Sequence, residues 1–261
     1  MKGITSIFVI ILILMTFNSA YGHQPKLITE EVTIIKNPEV SQAFYSELTG
    51  KSHIYLIESE ISFRLYVGIL VPDVPGIDKD VSVLISKNED QNKIEGDLHE
   101  DFEILLNGTA YNWKAYHEEF AGDDYFNGPA LESSDSRRGF HPKGIEVESG
   151  TYIIEVFSPD NRGKYVLVVG DKEEFPFSEI INAVITIPQL KPYFEKSSLE
   201  ALSSPFVLGF IIIILLISVL IISLTIFLVK RVRRIIYTKN RNWEYAIYRP
   251  VINMRIPDIL L

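Results

Sequence analysis

Histidines and carboxylates are the side chains from which a metal-dependent hydrolase is built, and in this chain they are dispersed. His23, His53, His99, His117 and His141 include no pair one helical turn apart, the spacing a zinc site on a helix requires. His99-Glu100-Asp101 and His117-Glu118-Glu119 each set one imidazole beside acids. Without a second histidine at ligand spacing, both read as solvated polar turns. Serine hydrolysis wants its nucleophile on a Gly-x-Ser-x-Gly elbow, and the chain has none. Ser133, Ser134 and Ser136 instead fall in a polar stretch with Asp135, Arg137 and Arg138. No phosphate-cradling glycine loop is present. The absence of cysteine excludes thiol nucleophiles, disulfides and thiolate metal centres. The expectation is a protein without catalysis and without a resident cofactor.

Two regions keep a binding role open. Hard cations take oxygen ligands from loops, and Asp78, Asp80, Asp123 and Asp124 fall between expected strands, as do Asp97, Glu100 and Asp101. They are candidate calcium ligands, although none follows the EF-hand spacing. The stretch 111–141 mixes Trp113, Tyr116, Phe120, Tyr125 and Phe126 with polar residues and has no clean period. Flat rings among hydrogen-bonding groups suit a carbohydrate- or peptide-binding loop, with Trp113, Tyr116, Tyr125, Phe126 and Asn127 as its candidate ligand residues. The same rings also suit a cap on a hydrophobic core beneath a long loop, which is the reading they favour. Asn107-Gly108-Thr109 is a glycosylation sequon, which makes Asn107 a candidate acceptor.

Strands must position these residues. Apolar or alternating runs at 31–35, 42–48, 53–57, 62–71, 81–87, 102–106, 152–157 and 165–169 are rich in Val, Ile, Tyr and Phe and are separated by turn residues. In 62–71 the alternation puts Phe63, Leu65, Val67 and Ile69 on one face. Around Pro159-Asp160-Asn161-Arg162-Gly163 two such runs read as a β-hairpin. Strands without interleaved helices predict a mainly β fold, an antiparallel, jelly-roll-like β-sandwich over 23–176. From 177 to 205 the pattern turns helical. Ile180, Ile181, Val184, Ile185 and Ile187 suit a short helix ended by Pro188, on the membrane surface or as an extended linker.

The stretch 150–170, SGTYIIEVFSPDNRGKYVLVVG with its preceding serine, resembles the closing hairpin of PPC-like (bacterial pre-peptidase C-terminal) jelly-roll domains, in which a Gly-Thr-Tyr strand pairs with a Gly-x-Tyr strand. The resemblance implies an accessory β-sandwich, often at cell surfaces, and carries over no catalytic residue.

Residues 206–229 contain no charge and are long enough to cross roughly 30 Å of hydrocarbon at about 1.5 Å per residue. The basic cluster Lys230, Arg231, Arg233 and Arg234 follows at once. The tail, 230–261, holds eight Lys/Arg and two acids, a formal +6. Residues 23–204 hold 16 Lys/Arg and 32 Asp/Glu, a formal −16. This asymmetry predicts a cytoplasmic tail and an extracellular N-terminal domain. Residues 1–22 have the basic start, short apolar run and small residues before the cut of a signal peptide. The acidic exterior argues against nucleic acid as a partner. The expectation is a single-pass cell-membrane protein in contact with the lipid bilayer, whose outer domain is a binding or assembly module for a protein or glycan. Two alternatives stay open: a carbohydrate-binding or glycan-active protein using 111–141, and an accessory subunit of a membrane complex.

Overall fold

The computed structural model describes residues 22–88, 102–131 and 144–248, and the chain divides at Ile211 into two units. Almost all of the expected signal peptide lies outside the described residues, as do His99, Glu100, Asp101, Asp97, Ser133, Ser134, Ser136 and His141.

In the first unit the alternating runs become thirteen strands among the described residues. Sheet A has the order β1 (Gln24–Leu27), β3 (Gln42–Thr49), β13 (Arg162–Val169), β6 (Val67–Pro72), β10 (Asp123–Leu131) and β9 (Lys114–Glu118). Sheet B has the order β2 (Val32–Ile34), β4 (His53–Ser59), β12 (Gly150–Phe157), β7 (Ser82–Asn88) and β8 (Glu103–Leu106). A two-stranded ribbon pairs β5 (Phe63–Leu65) with β11 (Ile145–Val147). Every second residue of the central strands enters the core between the sheets. Phe44, Leu48, Val67, Ile69, Val71, Tyr165 and Leu167 come from sheet A; Tyr55, Ile57, Val83, Ile85, Tyr152, Ile154 and Val156 come from sheet B. The mainly β sandwich is therefore present. Its two N-terminal strands add a parallel pairing at one edge of each sheet, β1 with β3 and β2 with β4.

Three local expectations are corrected. First, β12 and β13 are not hairpin partners. β12 pairs with β4 and β7 in sheet B, whereas β13 pairs with β3 and β6 in sheet A. The turn between them is tight, with Asn161 N–H donating to the Ser158 carbonyl at 3.1 Å and Asn161 and Gly163 at φ 52° and 116°. It reverses the chain but carries it across the core. Tyr152, Ile154 and Val156 thus share one core with Tyr165, Leu167 and Val169. Second, the run 62–71 breaks at Tyr66 into β5 and β6, which join different sheets while Phe63, Leu65, Val67, Ile69 and Val71 all stay buried. Third, residues 114–131 are not a loop: β9 and β10 pair with each other, and β10 also pairs with β6, with a bulge between Asn127 and Ala130.

The segment after the sandwich neither hangs free nor forms a linker. Helix α1 (Phe177–Leu190) runs past Pro188 rather than stopping there; a mid-helix proline removes one hydrogen bond and need not end the element. The 3₁₀ turns η1 (Lys191–Phe194) and η2 (Ser198–Ser203) follow. Ser197 and Glu200 form a reciprocal capping box at the start of η2. Leu190 and Phe194 pack on Ala43, Tyr45, Tyr125, Val166 and Val168, the outer face of sheet A. This strap explains why Tyr165, Val166, Leu167, Val168 and Val169 are all buried in succession: β13 is covered on both faces.

Helix α2 (Pro205–Tyr248) opens in the first unit, where Phe206 lies 4.2 Å from Phe120 between ring centroids. The second unit carries the rest of it. Pro205–Thr238 is the one helix among the described residues long and apolar enough to span a membrane. The Ser218 and Thr225 hydroxyls each donate to a carbonyl four residues back, at 2.8 Å, so neither brings an unsatisfied polar group into the span.

Candidate functional site

The five aromatic-region candidates are not brought to one surface. Tyr125 and Phe126 are neighbours on β10 and so face opposite sides of sheet A. Tyr125 points under the strap, 2% exposed, with its hydroxyl 2.8 Å from that of Tyr45 and its ring edge-on to Phe194. Burial and the acids Glu118 and Asp123 push both phenols well above their ordinary range. Phe126 and Trp113 pack against the inter-sheet core instead. Trp113 Nε1 donates to the Gly108 carbonyl at 2.8 Å, and any side chain at Gly128 would overlap the Trp113 ring. Tyr116 is exposed at the β9 edge and Asn127 is exposed at the bulge. A stacking platform needs rings on one side, and these divide between two.

The four aspartates also separate. Asp123 is 1% exposed and accepts from Lys191 Nζ at 2.8 Å and Lys196 Nζ at 3.0 Å. Lys191, itself 2% exposed, also donates to the Ala121 carbonyl at 2.8 Å. Asp123 is therefore the anchor of the strap. Asp124, next on β10, faces the other way and pairs with His117 at 2.7 Å on the surface. Asp78 is exposed; Asp80 is half-buried, with one carboxylate oxygen buried without a partner. Burial, with Asp78 and Asp160 nearby, raises the Asp80 carboxyl above its usual range. Among the described residues no group of three His, Asp or Glu is placed to hold a metal ion. Glu118, beside His117, is held by the backbone N–H groups of Phe120 and Ala121 at 2.8 and 2.7 Å. The Asn107 carboxamide is exposed and accepts from Thr109 N–H and Oγ1 at 3.0 and 2.7 Å. Lys230, Arg231, Arg233 and Arg234 are exposed on α2.

The space under the strap, lined by Tyr45, Glu118, Tyr125, Ile187 and Leu190, has a volume of ≈ 30 Å³, room for water and far below a small-molecule site of roughly 300–1,000 Å³. A wider groove of ≈ 310 Å³ lies between β1 and α1, where Lys26 and Glu179 pair at 2.9 Å.

The surface that stands out is the outer face of sheet B. Register aligns Val32, Ile54, Glu155, Leu84 and Leu105 in one row across all five strands, with Ile34, Leu56, Ile153, Ser86 and Glu103 in the next. Seven of these ten are aliphatic. Val32, Ile34 and Leu105 are 53%, 63% and 54% exposed, and no described element covers the face. It carries none of the loop chemistry of 111–141. A signal was there: runs such as His53-Ile54-Tyr55-Leu56-Ile57 are apolar without a polar alternate, the pattern of a strand with something apolar on both sides.

No family model and no curated protein matches the chain. Among solved structures it is similar to the pre-peptidase C-terminal domain of a collagenase from Bacillus anthracis, the family that 150–170 resembles. That alignment has 12% identity over 54% of this chain and 96% of that one, at a TM-score of 0.27. It is also similar to CorA, described as a surface-associated copper-binding protein important in copper acquisition in Methylomicrobium album BG8. There the identity is 7% over 56% of this chain and 100% of that one, at a TM-score of 0.24. No residue role is carried over from either.

Proposed function

We propose that this chain is a single-pass surface protein whose sandwich binds a protein partner through the outer face of sheet B, with the basic tail in the cytoplasm. The observation that carries the reading is the aliphatic double row from Val32 to Leu105, which no described element covers. Large contiguous apolar patches on soluble surfaces mark interaction sites, and covering each half-exposed aliphatic residue is worth on the order of 1 kcal/mol. Glu155 sits inside the rows, and Glu103 flanks them. The complementary partner is therefore an apolar protein surface carrying a lysine or arginine opposite Glu155. The apolar helix next to the cationic cluster supports anchoring with the tail inside.

Site-directed photo-crosslinking of the full chain in its native membrane tests this. A photoreactive residue at Ile34 or Leu105 should give one discrete adduct, and at Tyr116, on the far edge of sheet A, none. Equal adducts from all three positions, or none from Ile34 and Leu105, would reject the reading.

A further inference from the structure

Beyond the apolar run, α2 does not become uniformly polar. At about 100° per residue, Lys230, Arg231, Arg233 and Arg234 occupy an arc of roughly 160°, while Val232, Ile235 and Ile236 occupy about 100° on the opposite side. The three aliphatic residues are 53%, 57% and 54% exposed. The helix continues unbroken through them to Tyr248.

The axial spacing matches the layer it meets. From Lys230 to Arg234 the helix rises about 6 Å, close to the thickness of one headgroup layer, roughly 5–7 Å on each side of the hydrocarbon core. All four cations thus fall at the depth of lipid phosphates when the apolar run fills the core. A water-exposed helix gains nothing from Val232, Ile235 and Ile236 on one side. A helix that leaves the bilayer with a tilt does, because the stripe on its underside faces the acyl boundary while the cations on its upper side reach the headgroups. Pairing with a second copy through the same stripe would bring two sets of four cations together, whereas acidic headgroups neutralise them.

We infer that residues 230–236 form a recognition collar for anionic phospholipid headgroups, seated by the aliphatic stripe Val232, Ile235 and Ile236. This rests on the anchoring half of the reading above and not on the partner face. The chain has no cysteine, so single reporters are simple to place. The full-length protein carrying Ile236→Cys, or Ile222→Cys within the span, is labelled with a fluorophore quenched by brominated acyl chains. Each is reconstituted into phosphatidylcholine vesicles with and without phosphatidylglycerol. The Ile222 label should be quenched in both. The Ile236 label should be quenched several-fold more with phosphatidylglycerol. High salt should remove that difference, as should replacing Lys230, Arg231, Arg233 and Arg234 together by Gln; replacing the three arginines by Lys should preserve it. Equal quenching at Ile236 in both vesicles, or a preference that survives the Gln variant, overturns the collar while leaving the anchor intact. An unquenched Ile222 label overturns the anchor and the collar together. Label–label excimer emission at Ile236 independent of lipid composition would show a second copy on the stripe and overturn the proposal.

Discussion

The outer faces of the two sheets received the same kind of side chains and met different fates. On sheet A, Ala43, Tyr45, Val166 and Val168 are closed over by Leu190 and Phe194. The closure is pinned by an ion cluster in which Asp123 faces Lys191 and Lys196. On sheet B, the outer face carrying Val32, Ile34, Leu84 and Leu105 is covered by no described element. An apolar sheet face can thus be covered by the chain itself or stay uncovered by any described element. Their polar residues differ too. On sheet A a buried, fully partnered charge fixes the cover, while the outer face of sheet B carries the single acids Glu103 and Glu155.

Breaking the cover should have the largest effect. Asp123→Ala leaves Lys191 buried with only the Ala121 carbonyl, and removing one member of a buried pair costs about 3–5 kcal/mol. Chemical denaturation of the detergent-solubilised chain should show a loss of that size. Replacing both Asp123 and Lys191 by Leu and Met should recover much of it, because the lone-charge penalty disappears. A double variant as unstable as the single one would mean the ions do more than seat the strap.

The same truncation on each face sharpens the contrast. Leu190→Ala, at 1% exposure, should cost about 2–5 kcal/mol. Leu105→Ala, at 54% exposure, should cost less than about 1 kcal/mol. Similar losses would show that sheet B is covered after all.

A third test addresses what joins the sheets. His53 of sheet B is buried against Tyr165 and Ser46 of sheet A at 2.8 and 3.2 Å, and Tyr55 lies 2.9 Å from the Tyr165 hydroxyl. All three are satisfied when Tyr55 donates to Tyr165 and Tyr165 donates to a neutral His53 Nδ1. Burial pushes the Tyr165 phenol up to about 12 and holds His53 below its ordinary 6.5. The unfolded chain therefore binds the proton first. Stability should fall as pH drops below 6.5 and level off once the folded imidazole is also protonated. Glu118 acts with opposite sign: burial raises its carboxyl above 4.5, so protonation favours the fold as pH falls toward 4.5. Denaturation midpoints across this range should decline in the native chain and lose the His53 part of the slope in His53→Gln. An unchanged slope would remove His53 from the clasp.

The smallest effect should come from Lys26→Ala. It removes a half-exposed ion pair between β1 and α1 and should change stability by less than about 1 kcal/mol.

The legible parts of the fold were those set by short-range pattern. Short apolar runs located β3, β4, β7 and β12, alternation located the buried face of 63–69, and length with apolarity located α2. What stayed hidden depends on partners distant in sequence. The Ser158–Arg162 turn has the same local chemistry whether its strands pair or cross a core; only the strands flanking β12 and β13 decide. Tyr66 marks no break in a perfect alternation, because the same face stays buried while the chain changes sheets. Residues 123–131 place Asp, Asn, Gly and Pro in a strand, since Asp123 is paid back by two lysines some seventy positions on, and the bulge takes up Gly128 and Pro129. Of the unusual residues, Trp113, Tyr125, Phe126 and Asp123 are internal joints, while Tyr116, Asn127, Asp78 and Asp124 lie on the surface. The uncovered face was made of ordinary ones.

The contrast between the two faces is tested most directly by Ile34→Asp/Leu105→Asp in the full chain, with the protein's complex in native membranes sized after mild solubilisation. The double variant should remain folded, with denaturation close to that of the parent, and should migrate at lower mass because its partner is lost. A complex of unchanged mass in the folded double variant would contradict it.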